Sequence, residues 1–292
     1  VALAAARSCE ELRAAGCEPE SVDAEVSANI LKNAMGVGIP GTGMTGLPIA
    51  IALGAIVGKS AYGLEVLKDI SADSVAQAKE YIKSGTIQIA LDKDTDEMLY
   101  IRVICEKDGK SATAVIAREH TRLVYLEGPS GVIADAPLEA QGESSEKDSD
   151  LNLHRVFEFA TTVPVEQIEF INEARRLNEA ASKAALLGNY GHELGKTLSR
   201  PLGKGIMGDS IFSHILSATS SACDARMAGA MIPVMSNSGS GNQGIAATMP
   251  VVVFAEENHN TEEELTRALV LSHLTAIYIK QSLGRLSALC GC

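Results

Sequence analysis

The run Met235-Ser236-Asn237-Ser238-Gly239-Ser240-Gly241-Asn242-Gln243-Gly244 concentrates one kind of chemistry. Two asparagines, a glutamine and three serines supply hydrogen-bond donors and acceptors. Three glycines let a ligand approach the main chain closely. Apolar runs at 228–234 and 245–254 bracket the stretch. A polar loop held between buried segments has the form of a binding site, because function collects on loops carried by a rigid scaffold. A surface linker is the alternative.

A second glycine-rich loop spans 36–46 and contains Thr42 and Gly43. It runs straight into the apolar segment 47–57, which reads as a buried helix. A helix start behind such a loop offers free N–H groups to an anion. The pattern G-x-G-x-x-G occurs at 36–41, 41–46 and 239–244. A dinucleotide fingerprint needs a strand before the loop, and residues 27–34 are helical in pattern. The other candidates stand singly. His273 lies in the apolar run 269–279, as a core histidine or as a proton-transfer group. Asp224 and Arg226 lie just before the loop, as a local ion pair or as substrate contacts. Cys223 beside them reads equally as a small buried hydrophobe. Cys290 and Cys292 follow a long apolar helix, and two cysteines alone make neither a zinc nor an iron–sulfur site. The turn 92–96 imitates a calcium loop but has Glu97 and Val103 where glycine and glutamate belong, so it reads as a hairpin turn. There is no nucleophile elbow, H-E-x-x-H or Walker loop.

The elements that must position these residues are mostly helical. Apolar spacing predicts helices over 2–14, 22–34, 47–57 and 71–83. Alternation predicts strands over 86–91, 99–105, 111–118 and 122–126, with Asp108-Gly109 as a hairpin turn. A polar stretch over 128–150 reads as a flexible connection. Helices resume near 151, then over 165–187 behind Pro164 and over 209–230. A loop-rich stretch is expected over 188–208. A last helix opens on the capping box Thr261-Glu262-Glu263-Glu264. The expected fold class is α+β: a mainly α-helical domain, residues 1–60 and 128–292, with an inserted small α+β module of antiparallel strands, residues 61–127.

Composition narrows the function classes. A formal charge of −12 argues against nucleic acid as a partner. The longest apolar run, 47–57, is too short to span a bilayer, so no membrane partner is expected. No signal peptide is visible, although the chain starts at Val1. Six scattered cysteines in a chain of 292 residues fit a reducing cytoplasm better than a disulfide framework. Aromatic residues make up 4% and tryptophan is absent, so the core is built from small aliphatic side chains. The implied partner is a small molecule, and a homo-oligomer is left open.

Three segments carry a family resemblance: Cys223-Asp224-Ala225-Arg226-Met227; Pro233 to Ile245 through the SGSGNQG run; and Leu286-Ser287-Ala288-Leu289-Cys290-Gly291. They resemble the L-cysteine desulfidase family, which is similar in turn to the alpha part of iron–sulfur-dependent L-serine dehydratase. Residues 40–46 and His120-Thr121 also resemble family segments. The resemblance implies β-elimination: cysteine gives sulfide, ammonia and pyruvate, and serine gives ammonia and pyruvate. It implies a [4Fe–4S] cluster held by three cysteines, with one iron open to substrate as a Lewis acid. It implies Cys290 as a cluster ligand, with Cys292 a poorer stand-in. Set beside the residue readings above, it leads to Thr42, Gly43, Arg226, Asn237, Ser238, Gly239, Ser240, Gly241, Asn242 and Gln243 as expected contacts to an amino-acid substrate. A base must still remove the α-proton, and His273 and Asp224 are the candidates among the residues weighed singly. The family's other cluster cysteines lie in a Gly-Cys-Thr-Glu-Pro motif and a Cys-Asp-Gly segment that these residues lack. The expectation is that this stretch alone holds no intact cluster. The rival reading is a non-catalytic protein that binds an amino acid or other metabolite.

Overall fold

The computed structural model describes residues 1–136, 138 and 151–283. The chain forms two compact units, Val1–Glu143 and Ser144–Cys292. Together their elements make an α+β protein.

The first unit opens with α1 (Ala2–Ala14), whose Ala5, Cys9 and Leu12 are fully buried. Next comes β1 (Ser21–Val26), where a helix was expected from 22 to 34. Val22, Ala24 and Val26 are buried and alternate with Asp23 and Glu25. Period-two burial with a partner on each side favours the strand. Only 28–34 of the expected helix forms, as α2 (Ala28–Ala34). The glycine loop then folds into a tiny hairpin, β2 (Gly38–Ile39) with β3 (Met44–Thr45), ahead of α3 (Leu47–Val57). A capping box on Ser71 starts α4 (Ala72–Lys83).

Five strands follow: β4 (Ile87–Leu91), β5 (Tyr100–Lys107), β6 (Lys110–Ala117), β7 (Leu123–Gly128) and β8 (Gly131–Asp135). The sheet order is β4-β1-β5-β6-β7-β8, with β1 parallel to β4 and the other neighbours antiparallel. Thus β1, from the segment expected in the helical domain, lies inside the sheet of the expected insertion. Glu25 on β1 faces Arg102 on β5, and their side chains pair at 2.9 Å. Asp108 and Gly109 turn β5 into β6 with φ of 50° and 75°, the signs a primed hairpin turn requires. β8 occupies part of the stretch expected as a connection; its own pattern is weak because Val132 and Ile133 stay exposed, and pairing with β7 makes it a strand. α1 covers β5 and β6, with Ser8 Oγ donating to the Ala112 carbonyl at 2.6 Å. α3 packs on α1 so closely that a Cβ on Gly54 would lie 2.5 Å from the Ala2 carbonyl oxygen.

The second unit is helical: α5 (Leu153–Thr162), α6 (Asn172–Leu187), α7 (Leu194–Ser199), α8 (Pro201–Met207), α9 (Ile211–Met227), α10 (Gly241–Glu257) and α11 (Glu262–Leu283). Two single 3-10 turns, Val165–Gln167 and Glu169–Ile171, stand where α6 was expected to begin, and between them Ile168 is buried against Ala160 and Val270. α7 and α8 lie in the stretch expected as loop; Gly195 and Gly203 serve close packing, since a Cβ on Gly195 would lie 2.0 Å from Ser221 Oγ and one on Gly203 2.5 Å from the Thr197 carbonyl oxygen. Thr261 and Glu264 form the expected capping box on α11. α10 is central: its Ile245 and Met249 pack on Ala181 and Ala222, and its Val252 and Ala255 pack on Leu265 and Leu269. Among the described residues no helix is long and apolar enough to cross a membrane.

Candidate functional site

The loop predicted as the centre is a hairpin that feeds a helix. Asn237 and Ser240 exchange two main-chain hydrogen bonds of 3.0 Å. Ser238 and Gly239 make the turn between them with φ of 49° and 80°. Glycine fits the second position at no steric cost, and serine accepts the first under constraint. Ser240 caps α10, its Oγ accepting from Gln243 N and its carbonyl from Gly244 N. The N–H groups of Gly241 and Asn242 open the helix and have no acceptor within it.

Two buried side chains hold this turn from below. Asn178 on α6 is fully buried. Its Oδ1 accepts from Met235 N at 2.9 Å, while its Nδ2 donates to Thr248 Oγ1 at 3.0 Å and lies near the Gly244 carbonyl at 3.3 Å. Thr248 donates to that same carbonyl at 2.7 Å. His273 on α11 completes the network. Asn237 Nδ2 donates to the His273 carbonyl at 3.0 Å and to ring Nδ1 at 3.2 Å. Ring Nδ1 therefore carries no proton. Thr248 has already committed its hydrogen to Gly244, so it accepts from His273 Nε2 at 3.0 Å. Both ring nitrogens are used, and burial pushes the imidazole below its ordinary value of 6.5.

Arg226 reaches the same turn from α9. Its Nη1 donates to Asn242 Oδ1 at 3.0 Å. A Cβ on Gly241 would lie 2.2 Å from Arg226 Nε, so only glycine lets the guanidinium lie there. Asp224 does not pair with Arg226. Two positions apart on a helix, they point to different sides, and Asp224 Oδ2 accepts from Gly195 N at 3.2 Å at the start of α7. Thr42 and Gly43 belong to the first unit. The Thr42 hydroxyl donates to the Ile39 carbonyl at 2.7 Å and accepts from Met44 N at 3.0 Å, and Gly43 turns the chain with φ of 64°. Of the predicted residues, the structure therefore gathers Arg226, Asn237–Gln243 and His273. Cys290 and Cys292 lie outside the described residues. Sequence reasoning missed Asn178 and Thr248. Their signal was a polar side chain at a buried position of a helix face built from small residues, as in Ala174, Asn178, Ala181, Ser182 and Ala185.

Residues 61–292 match the family model of the serine dehydratase alpha chain. The chain belongs to that family. Its relatives include a UPF0597 protein of Phocaeicola vulgatus, 60% identical over 293 residues that cover 100% of this chain and 67% of that protein. A UPF0597 protein of Bacteroides thetaiotaomicron is 60% identical over 292 residues, again 100% and 67% of the two chains. The UPF0597 protein YhaM of Salmonella gallinarum is 46% identical over 296 residues, covering 99% of this chain and 67% of its own length. No solved structure matches.

The serine dehydratase family normally uses a [4Fe–4S] cluster, and such clusters are held by cysteine thiolates. Among the described residues, no group of three or more His, Cys, Asp or Glu is placed to hold a metal. Cys9 and Cys105 face each other in the first unit with sulfurs 2.6 Å apart, and their mutual hydrogen bond raises the Cys9 thiol and lowers that of Cys105. Cys17 and Cys223 stand outside that pair. The described residues thus do not by themselves fit the cluster.

Proposed function

We propose that this chain is the substrate-binding part of a lyase that removes the β-substituent of a small amino acid. Serine would lose its hydroxyl as water, leaving ammonia and pyruvate after hydrolysis; cysteine would lose its thiol as sulfide, with the same two co-products. Membership of the serine dehydratase alpha family supports the reaction class. The observation that carries the reading is Arg226, whose guanidinium lies against Gly241 and bonds Asn242 at the start of α10. A helix start with two free N–H groups and an arginine is suited to an α-carboxylate. The amides of Asn242 and Gln243 offer further bonds to the amine and carboxylate.

In this reading His273 positions Asn237. A base with neither ring nitrogen free does not take the α-proton in this arrangement. Asn242→Ala in the full chain, assayed anaerobically for pyruvate from L-serine and L-cysteine, should raise KM; unchanged kinetics would remove the loop from the site. A binding protein without chemistry is the second reading, favoured by the committed state of His273. Absence of pyruvate from both amino acids, with binding retained, would select it.

A further inference from the structure

The buried face of α11 carries two polar residues that the network above does not use: Thr266, which bonds Asn172, and Lys280. Thr266, Leu269, His273, Ala276 and Lys280 are all buried. Their spacings of three, four, three and four keep them on one face of the helix. The register with α10 can be read along that face. Ala255 and Val252 cluster with Leu265 and Leu269. Further on, the Ala247 carbonyl accepts from Ser272 Oγ at 2.7 Å, and Thr248 meets His273 Nε2 at 3.0 Å. The helices are antiparallel, so each step forward on α11 is a step back on α10. Lys280 is seven residues past His273, and Gly241 is seven before Thr248. Lys280 therefore stands level with the first turn of α10, about 10 Å from the Thr248–His273 contact. Helical side chains lean toward their own N-terminus, which carries the amine back over that turn.

Lys280 is 5% exposed. Among the described residues it makes no hydrogen bond and no ion pair. A buried cation without a partner is costly and signals a missing anion. Among the described residues Arg226, at the same turn, also has no carboxylate partner: its partners are Asn242 Oδ1 and Met227 Sδ. By this register, two cations with no carboxylate partner among the described residues fall at the level of the positive end of a 17-residue helix, in a chain of formal charge −12.

We propose that Lys280, with Arg226 and the start of α10, forms the site for the substrate's carboxylate, and that Lys280 is the residue that selects for that charge. The amino-acid identity of the ligand rests on the lyase reading; the anion site does not. The test is equilibrium binding of L-serine and of L-serinamide, in which a neutral amide replaces the carboxylate. Calorimetry and thermal shift on the full chain would read both. L-serine should bind the wild type and raise its melting temperature, and L-serinamide should do neither. Lys280→Met should bind L-serine about 10- to 100-fold more weakly, the loss expected for one charge-assisted bond. Freed of an unpaired buried cation, its ligand-free form should melt no lower than the wild type. Equal binding of serine and serinamide by the wild type would overturn the proposal without any variant. So would undiminished serine binding by Lys280→Met. Lys280-dependent binding without pyruvate formation supports the site while sinking the lyase reading. Pyruvate formation with KM unchanged in Lys280→Met does the reverse.

Discussion

Asn237 grips His273 twice, through the ring Nδ1 at 3.2 Å and the main-chain carbonyl at 3.0 Å. One amide thereby fixes the imidazole's tautomer and ties the turn to the middle of α11. Truncation at either end strands a buried donor or acceptor. His273→Ala should destabilise the fold by roughly 2–4 kcal/mol, combining a cavity with unpaired groups. Urea denaturation checks this, and a change under 0.5 kcal/mol, about what an ordinary surface substitution gives, would contradict it.

Asn178 is the other anchor. Asn178→Ala removes the acceptor for Met235 N and the donor to Thr248, so roughly 1–3 kcal/mol should be lost. The local effect separates this role from general packing. Amide hydrogen exchange over 235–244 should quicken more than exchange over 252–257, at the far end of α10. Equal acceleration of both stretches would make Asn178 an ordinary core residue.

Two histidines of the helical unit should bend the pH–stability curve in opposite directions. Burial holds His273 below 6.5, so the unfolded chain protonates first. Its contribution is complete above about pH 6.5 and is lost as pH falls toward the folded value. His214 instead lies between Asp209 at 2.7 Å and Glu257 at 2.6 Å, which raise it above 6.5. Its contribution is complete below about pH 6.5 and is lost as pH rises through the folded value. His214 is only half-buried, so solvent screening keeps the effect small. Melting temperatures from about pH 5 to pH 8 should show His214→Gln closing on the wild type as pH rises, and His273→Gln should flatten the acid limb. A gap that widens with pH for His214→Gln would reverse the assignment.

Glycine substitutions should sort by what a Cβ meets. On Gly244 it would lie 2.0 Å from the Met235 carbonyl oxygen, which is main chain and cannot swing aside. Gly244→Ala should cost about 1–3 kcal/mol and disturb the turn. Gly205 in α8 has open space around that position. There, alanine should be neutral or add about 0.5–1 kcal/mol through helix propensity. Thermal melts of the two variants side by side provide the check, and similar losses in both would refute the distinction.

Much of the scaffold was legible because its signals are local. The capping box Thr261–Glu264, the turn Asp108-Gly109 and the apolar spacing of α1, α3, α4 and α9 depend on residues a few positions apart. So does the choice of 235–244 as a polar loop between apolar runs, although the helix that starts at Gly241 was not foreseen. Composition likewise set a core of small aliphatic side chains, but α7 and α8 lie in the stretch expected as loop. The strands β1 and β8 were not legible. Val22–Val26 satisfies a helical pattern as well as an alternating one, and only β4 and β5 on either side settle it.

The site followed the same division. Sequence alone set amides, hydroxyls, glycines and one arginine within a short reach of one another. Tertiary structure decided what each does, since that depends on partners far away in the chain. It gave His273 two partners at its ring nitrogens, assigned Asp224 to Gly195, and set Asn178 beneath the turn. By antiparallel helix register it also brought Lys280 level with Gly241. Periodicity can say that a polar residue is buried, but only three-dimensional proximity says whether its hydrogen bonds and its charge are met.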